Sequence, residues 1–262
     1  MVRLQSTIAS SLAAAREALA PDGVLRAGVN LSNFLLVSER GPDGEPRGVS
    51  PSLCGELARR LGAELELVPY ANPGLLADGA ARGEWAVGLI GAEPARAETI
   101  LFTPPYAEIE ATFLVPPSSR LGDIASVDAP GTRVCVSRRA AYCLWLEANL
   151  ERADLVQTSE PGLPLSADLF VDEACDALAG LRPWLLGLVD QDPRFEGCSV
   201  LDGNFSTVQQ AVGTPRVGGA ETAALPFLEA FVADATASGF VAKLIADHGV
   251  AGKLAVASRS GE

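Results

Sequence analysis

Alternating strand-like and helix-like segments predict an α/β protein with a mostly parallel sheet, a larger series of elements coming first and a smaller one after it. Three observations carry this expectation. The first hundred residues read as consecutive βαβ units, Pro116-Pro117-Ser118-Ser119 forms a stiff polar connector, and a second strand and helix series follows that connector. The 262 residues, 48% of them hydrophobic, suffice for one large domain or for two lobes with well-filled cores.

Taken in order, residues 1–23 read as an amphipathic helix ending at Pro21-Asp22-Gly23. Their apolar run is weak and is broken by Arg16 and Glu17, which does not match a secretory signal. The expectation is therefore a cytoplasmic protein, with a periplasmic one as the alternative if the native start is truncated or misassigned. Residues 24–29 are strand-like. Leu53, Leu57 and Leu61, spaced at i, i+4 and i+8, mark a helix that Gly62 ends. Residues 65–68 give a strand, 75–81 a short helix, and the apolar run 86–90 a buried strand closed by Gly91. A polar turn, Glu93-Pro94-Ala95-Arg96, then leads to a proline-stiffened extended segment, Phe102-Thr103-Pro104-Pro105-Tyr106.

The second series starts with a strand at 133–136 and a helix over 140–151 that aligns Tyr142, Leu146 and Leu150. Strands at 155–157, 175–179 and 199–201 and a helix at 167–172 complete it. Residues 221–248 have the spacing of one or two helices broken near Gly239, and their Leu225, Leu228, Phe231 and Val232 must pack on elements already built. No internal repeat is evident.

Composition excludes several classes of function. A formal charge of -13 with thinly spread Lys and Arg argues against a nucleic-acid partner, and no apolar run is long enough for a membrane-embedded helix. No Ser-His-Asp set, phosphate loop or metal-ligand spacing is present, so neither a metal nor a cofactor is expected. The sole histidine, His248, falls near the end of a helix, where interaction with the helix dipole is the simplest role. Five cysteines, Cys54, Cys135, Cys143, Cys175 and Cys198, form an odd set without CxxC spacing and are read as buried free thiols in a reducing compartment.

The ordered segments VLRAGVN, RGVSPSLCGELARRLGAELELVPY, GEWAVGLIGAEPARAETILFTPPY, GTRVCVSRRAAY, EACDALAGLRP and ASGFVAKLIADHG resemble the family 3 extracellular solute-binding proteins, the amino-acid-type receptors of ABC importers. The resemblance spans residues 24–248. It implies a two-lobed type II periplasmic-binding-protein fold with two crossovers between the lobes and a ligand enclosed by hinge closure. Lobe 1 is then expected at 1–116 and 212–262 and lobe 2 at 117–211. The implied protein is a monomer that binds a small anionic or zwitterionic solute without covalent chemistry and delivers it to an ABC transporter permease.

Ligands of open α/β sheets bind beyond the carboxyl ends of the strands. That rule points to Asn30, Ser32, Asn33 and Phe34 after the first strand, to Tyr70 after the next, and to Gly91, Glu93 and Arg96 after the following one. From the second series it points to Arg138, Arg139, Ala140, Ala141 and Tyr142, where a strand enters a helix whose free N–H groups favour an anion, and to Leu181, Arg182 and Trp184. In family members the arginine at the position of Arg96 holds the ligand carboxylate through a planar, charge-assisted fork. The alternative is a surface arginine paired with Glu93 or Glu98. The aromatic rings of Phe34, Tyr70, Tyr142 and Trp184 either add an apolar wall to the pocket or pack in the core.

Departures from the family pattern bear on the ligand. Leu181 stands where α-amino-acid receptors present an acid to the ammonium, Gly48 to Leu53 lack acids, the turn before Arg96 lacks its Ser or Thr, and Ala140 or Ala141 replaces a helix-start Thr. Either Glu93 supplies the missing carboxylate, or the solute is a carboxylate without an ammonium. Two further readings stand beside binding for transport: a cytoplasmic solute sensor, and a cyclohexadienyl-dehydratase-like lyase with Glu93 as the acid.

Overall fold

A computed structural model describes residues 2–216 and 220–258, and the chain divides into two compact units, Met1–Glu108 with Gln209–Glu262 and Ile109–Val208. Unit 1 begins with helix α1 (Val2–Leu19), strand β1 (Val24–Asn30), a small hairpin of β2 (Glu39–Arg40) and β3 (Pro46–Arg47), helix α2 (Val49–Leu61) and strand β4 (Glu64–Tyr70). Leu53, Leu57 and Leu61 are buried, as their spacing predicts. Gly62 ends the helix at φ 65°, a left-handed conformation that only glycine adopts without a steric penalty, and the next N–H, of Ala63, returns to the Ala58 carbonyl at 3.0 Å.

Helix α3 (Pro73–Ala81) follows, started by Pro73 and by the Asn72 side chain, which accepts from the Leu75 N–H at 2.9 Å. Next come strand β5 (Val87–Gly91), a short 3₁₀ turn at Pro94–Arg96, strand β6 (Ile100–Phe102) and strand β7 (Ala107–Val115). Unit 2 adds α4 (Ile124–Val127), β8 (Arg133–Val136), α5 (Ala141–Asn149), β9 (Asp154–Gln157), α6 (Leu163–Asp172), β10 (Ala177–Leu181), α7 (Arg182–Gln191) and β11 (Ser199–Val200). Strand β12 (Ser206–Pro215) brings the chain back to unit 1, where α8 (Ala220–Ala237), α9 (Phe240–Asp247) and β13 (Ala255–Val256) finish it. Gly239, at φ 78°, makes the expected break between the last two helices.

In unit 1, β1 runs parallel to both β4 and β5, and β12 closes on β5 antiparallel. In unit 2, β8 lies parallel between β9 and β10, while β10 pairs antiparallel with β7. The chain passes between units twice, inside β7 and inside β12. The unit boundaries therefore fall at 108/109 and 208/209 rather than at the expected 116/117 and 211/212. The reason is physical: the crossings are strands, and Pro116 to Ser119 ends β7 within unit 2 instead of joining the units.

Each unit has its own core. Tyr70, Leu76, Trp85, Ile90 and Ile100 cluster in unit 1, and Leu114, Phe170, Leu178, Leu185 and Phe195 cluster in unit 2, where the rings of Phe170 and Phe195 stack at 6.0 Å. The cysteine expectation needs correcting. Cys135 in β8 and Cys175, just ahead of β10, form a disulfide with Cα atoms 6.2 Å apart, and only Cys54, Cys143 and Cys198 are buried free thiols. Cys175 precedes the strand, which begins at Ala177 rather than at residue 175. Parallel pairing of Ala177 with Val134 and of Leu178 with Cys135 carries the two sulfurs together, a tertiary proximity that spacing along the chain does not reveal. No single helix among the described residues is long and apolar enough to cross a membrane.

Candidate functional site

The parallel strands of unit 1 end on one edge. Asn30 lies opposite Tyr70, and Val29 lies opposite Leu89, two residues before Gly91. The loop after β1 is built by its own asparagines: the Asn30 side chain accepts from the Ser32 N–H at 3.1 Å and from the Ser32 hydroxyl at 2.8 Å, and the Asn33 side chain accepts from the Leu35 N–H at 3.2 Å. Such local bonds are what short polar side chains offer a turn. Just after Asn33, Phe34 is left 37% exposed, a large ring open to solvent at the strand ends.

The turn after β5 carries the charge. Arg96 closes the 3₁₀ turn, its N–H bonding the Glu93 carbonyl at 2.9 Å, and its side chain folds back so that Nη1 donates to the Gly91 carbonyl at 2.8 Å. It is only 5% exposed, which excludes the surface arginine that the sequence left open. Glu93, in the same turn, is 8% exposed. Burial raises its carboxyl above the usual range, and the nearby Arg96 charge only partly opposes that. A buried guanidinium and a buried carboxyl three residues apart place two ionisable groups inside this edge and suit it to a charged ligand group.

Gln210 joins this edge and was not singled out from the sequence. It is buried, it lies opposite Gly91 in the β5–β12 register, and its carbonyl accepts from the Tyr106 N–H at 2.8 Å. The available signal was a polar pair, Gln209-Gln210, within the strand β12. Tyr70 needs the opposite correction. Its ring belongs to the core with Leu76 and Trp85, and its hydroxyl donates to Glu84 at 2.6 Å, so it does not form a wall at the strand ends. The sequence left both a pocket wall and core packing open to its ring.

In unit 2, Arg138 and Arg139 occupy the loop between β8 and α5. Arg139 takes φ 60°, a conformation that costs a non-glycine residue about 1 kcal/mol, while Arg138 bonds the Thr158 hydroxyl through its N–H at 3.0 Å. Ala140 caps α5 without a side-chain bond, and the Tyr142 hydroxyl in its first turn is buried with no hydrogen-bond partner. Arg182 is engaged within the unit: Nε binds Glu110 at 2.5 Å, Nη1 the Leu201 carbonyl at 3.1 Å, and Nη2 the Gly203 carbonyl. Trp184 packs against the unit 2 core and lies over Gly180, and Leu181 ends β10 buried. His248 closes α9 and shares a hydrogen bond with the Ser52 hydroxyl at 2.9 Å.

The sequence model of the bacterial extracellular solute-binding proteins, family 3, matches residues 25–250. No curated protein matches the chain. Among solved structures, it is similar to an amino acid ABC transporter substrate-binding protein, AbpA from Streptococcus pneumoniae, bound to L-arginine, at 20% identity and a TM-score of 0.68, covering 88% of this chain and 97% of that one. It is also similar to the GluR0 ligand-binding core in complex with L-glutamate, at 19% identity and a TM-score of 0.66 over 86% of this chain and 97% of that one. A third similar structure is the ancestral amino-acid-binding protein AncCDT-1, described as a precursor of cyclohexadienyl dehydratase, at 18% identity and a TM-score of 0.65 over 87% and 96%. At these identities the likeness establishes the fold, that of the two-lobed type II periplasmic-binding proteins.

Proposed function

Because this chain belongs to the bacterial extracellular solute-binding proteins of family 3, we propose that it binds a small carboxylate-bearing solute, an organic acid or an amino acid, reversibly and without catalysis. The observation that carries this reading is Arg96, buried at the carboxyl ends of the parallel strands and bonded to Gly91 of β5. A carboxylate there gains a charge-assisted bond in a site of low polarity, where such a bond is strongest. Gln210 and the loop carrying Asn30, Asn33 and Phe34 supply further polar and apolar surface at the same edge. On this reading an ABC transporter permease accepts the bound solute.

Glu93 bears on which carboxylate is bound. Burial raises its carboxyl above the usual range, so charging it as the partner of an ammonium works against its desolvation, and on that ground we favour a plain carboxylate over an α-amino acid. The same property supports the dehydratase-like alternative, in which Glu93 protonates a leaving hydroxyl. Relatives in the comparison argue mainly for binding, since AbpA and the GluR0 core are described with intact amino acids bound.

Thermal denaturation with a panel of paired solutes, each carboxylate beside its amide, tests the reading. A ligand at about 100 times its dissociation constant adds roughly 2.7 kcal/mol, enough to raise the midpoint of a chain this size by roughly 5 °C. At least one carboxylate should do so while its amide does not; a panel in which amides shift the midpoint as much as acids would exclude the anion site. The Cys135–Cys175 disulfide supports an exported protein over the cytoplasmic one expected from the sequence, because such bonds persist in oxidising compartments. Fractionation of the native host would decide it: recovery in the cytosol with both thiols reduced would overturn export.

A further inference from the structure

A second cavity lies at the opposite end of the unit 1 sheet from Arg96. It has a volume of about 510 Å³ and opens between the end of α1, the starts of β1 and β5, the end of α3 and the end of β12. The strand β1, at about 3.3 Å per residue, carries the chain roughly 20 Å from Val24 in its wall to Asn30 at the strand-end site. Part of its wall, Ala18, Leu19 and Pro21, lies outside the stretch that matches the solute-binding family. The cavity is thus a feature of this chain that its proposed function does not use.

Its chemistry is two-sided. The inner wall is apolar and buried, with Leu19, Ala80, Trp85 and Ala224. Trp85 is fixed in place: its Nε1 donates to the Leu76 carbonyl at 3.0 Å, and its ring fills the space that side chains on two glycines would need. A Cβ on Gly79 would lie 2.7 Å from Trp85 Nε1, and one on Gly88 would lie 2.9 Å from Cη2. Among the described residues, the ionisable groups of the lining are two arginines, Arg26 and Arg82, with no acid beside them in it.

Both guanidiniums are held from outside the lining. Arg26 uses Nη1 on Asp22 at 2.9 Å and Nε on Glu66 at 3.1 Å, and Arg82 uses Nε and Nη2 on Glu84 at 2.6 and 2.9 Å. Among the described residues these bonds orient the planar groups and employ two nitrogens of each, which leaves Arg26 Nη2 and Arg82 Nη1 to donate to a ligand. Supported, preorganised donors beside a rigid apolar wall cost little to bind against. The volume falls in the range of small-molecule sites, which runs from about 300 to about 1,000 Å³.

We propose that this cavity is a second binding site, taking a hydrophobic monocarboxylate whose apolar body lies against Leu19 and Trp85 and whose carboxylate meets Arg26 and Arg82. It operates independently of Arg96. The test uses phenylacetate and its neutral partner phenylacetamide, with the Trp85 indole N–H resonance as the readout, in an Arg96→Ala background that removes the strand-end anchor. Phenylacetate should shift that resonance saturably, and phenylacetamide should do so at least about tenfold more weakly. Ala81→Trp, an exposed position at the cavity mouth, should block the response, and Arg82→Gln should weaken it about tenfold with the indole signal otherwise in place. Absence of a shift up to about 20 mM, weaker than a specific site of this size requires, would overturn the proposal. So would an equal response to the amide, or an undiminished response in Ala81→Trp. A response in the wild type that vanishes in Arg96→Ala would assign the binding to the strand-end site alone.

Discussion

Glu93 and Arg96 share one turn, and both are buried. The carboxyl is pushed above its ordinary 4.5, so the folded protein holds a proton that the unfolded chain has already released. Its contribution to stability is fully present below about 4.5 and is lost as the pH rises through the raised value. Urea midpoints measured from about pH 4 to about pH 7 should therefore fall in part because of Glu93, and Glu93→Gln should flatten that fall; parallel profiles would show that Glu93 titrates normally. Single residues were unevenly legible in the sequence. Arg96 stood out because a lone cation in a turn between apolar segments has few structural uses. Tyr70 was singled out for the site with core packing as its alternative, because an aromatic at the end of a strand looks the same whether it faces a ligand or, as here, packs beneath α3 with its hydroxyl on Glu84.

Secondary-structure elements were more legible than the links between them. Periodicity identifies α2, and Leu53, Leu57 and Leu61 are buried as it requires, but it says nothing of the charged seam joining α2 to α8. There Glu56 binds Arg59 and Arg60, and Arg60 reaches Asp234 at 2.7 Å. Hydrogen bonds from Arg59 and then Arg60 hold the Glu56 carboxyl down at about 2. The stabilisation this gives is present above about 4.5 and is lost as the pH falls toward about 2. Glu56→Gln should cost no more than about 1 kcal/mol near neutrality, and nothing in strong acid. Equal stability of variant and wild type at neutral pH would show the seam to be inert. The disulfide was illegible for a related reason: 40 residues separate Cys135 from Cys175, and only the pairing of β8 with β10 brings them together. In the chain-entropy account a loop of that length is worth about 4 kcal/mol, so Cys135→Ala with Cys175→Ala should lower the stability of unit 2 by up to that amount. An unchanged denaturation profile in the presence of a thiol reductant would show that the bridge is not formed in solution.

At the scale of the whole chain, the fold was the most readable property, because it rests on the order of many weak motifs rather than on any one of them. The family match over residues 25–250 and the solved structures of the same fold agree with it. The position of the crossovers was less readable, since β7 and β12 carry the chain between units as ordinary strands and the conspicuous proline segment lies beyond the first crossing. The ligand was the least readable. Fold fixes where the strands of each unit end, whereas the side chains carried at those ends decide what is bound. The central claim is that Arg96 anchors a carboxylate, and calorimetric titration of the wild type and of Arg96→Ala with the tightest carboxylate from the solute panel tests it most directly. Loss of a buried, charge-assisted anchor of this kind is worth about 3 kcal/mol, so the variant, shown by circular dichroism to be folded, should bind roughly 100-fold more weakly. A folded variant that binds with wild-type affinity would place the anchor elsewhere and contradict the account.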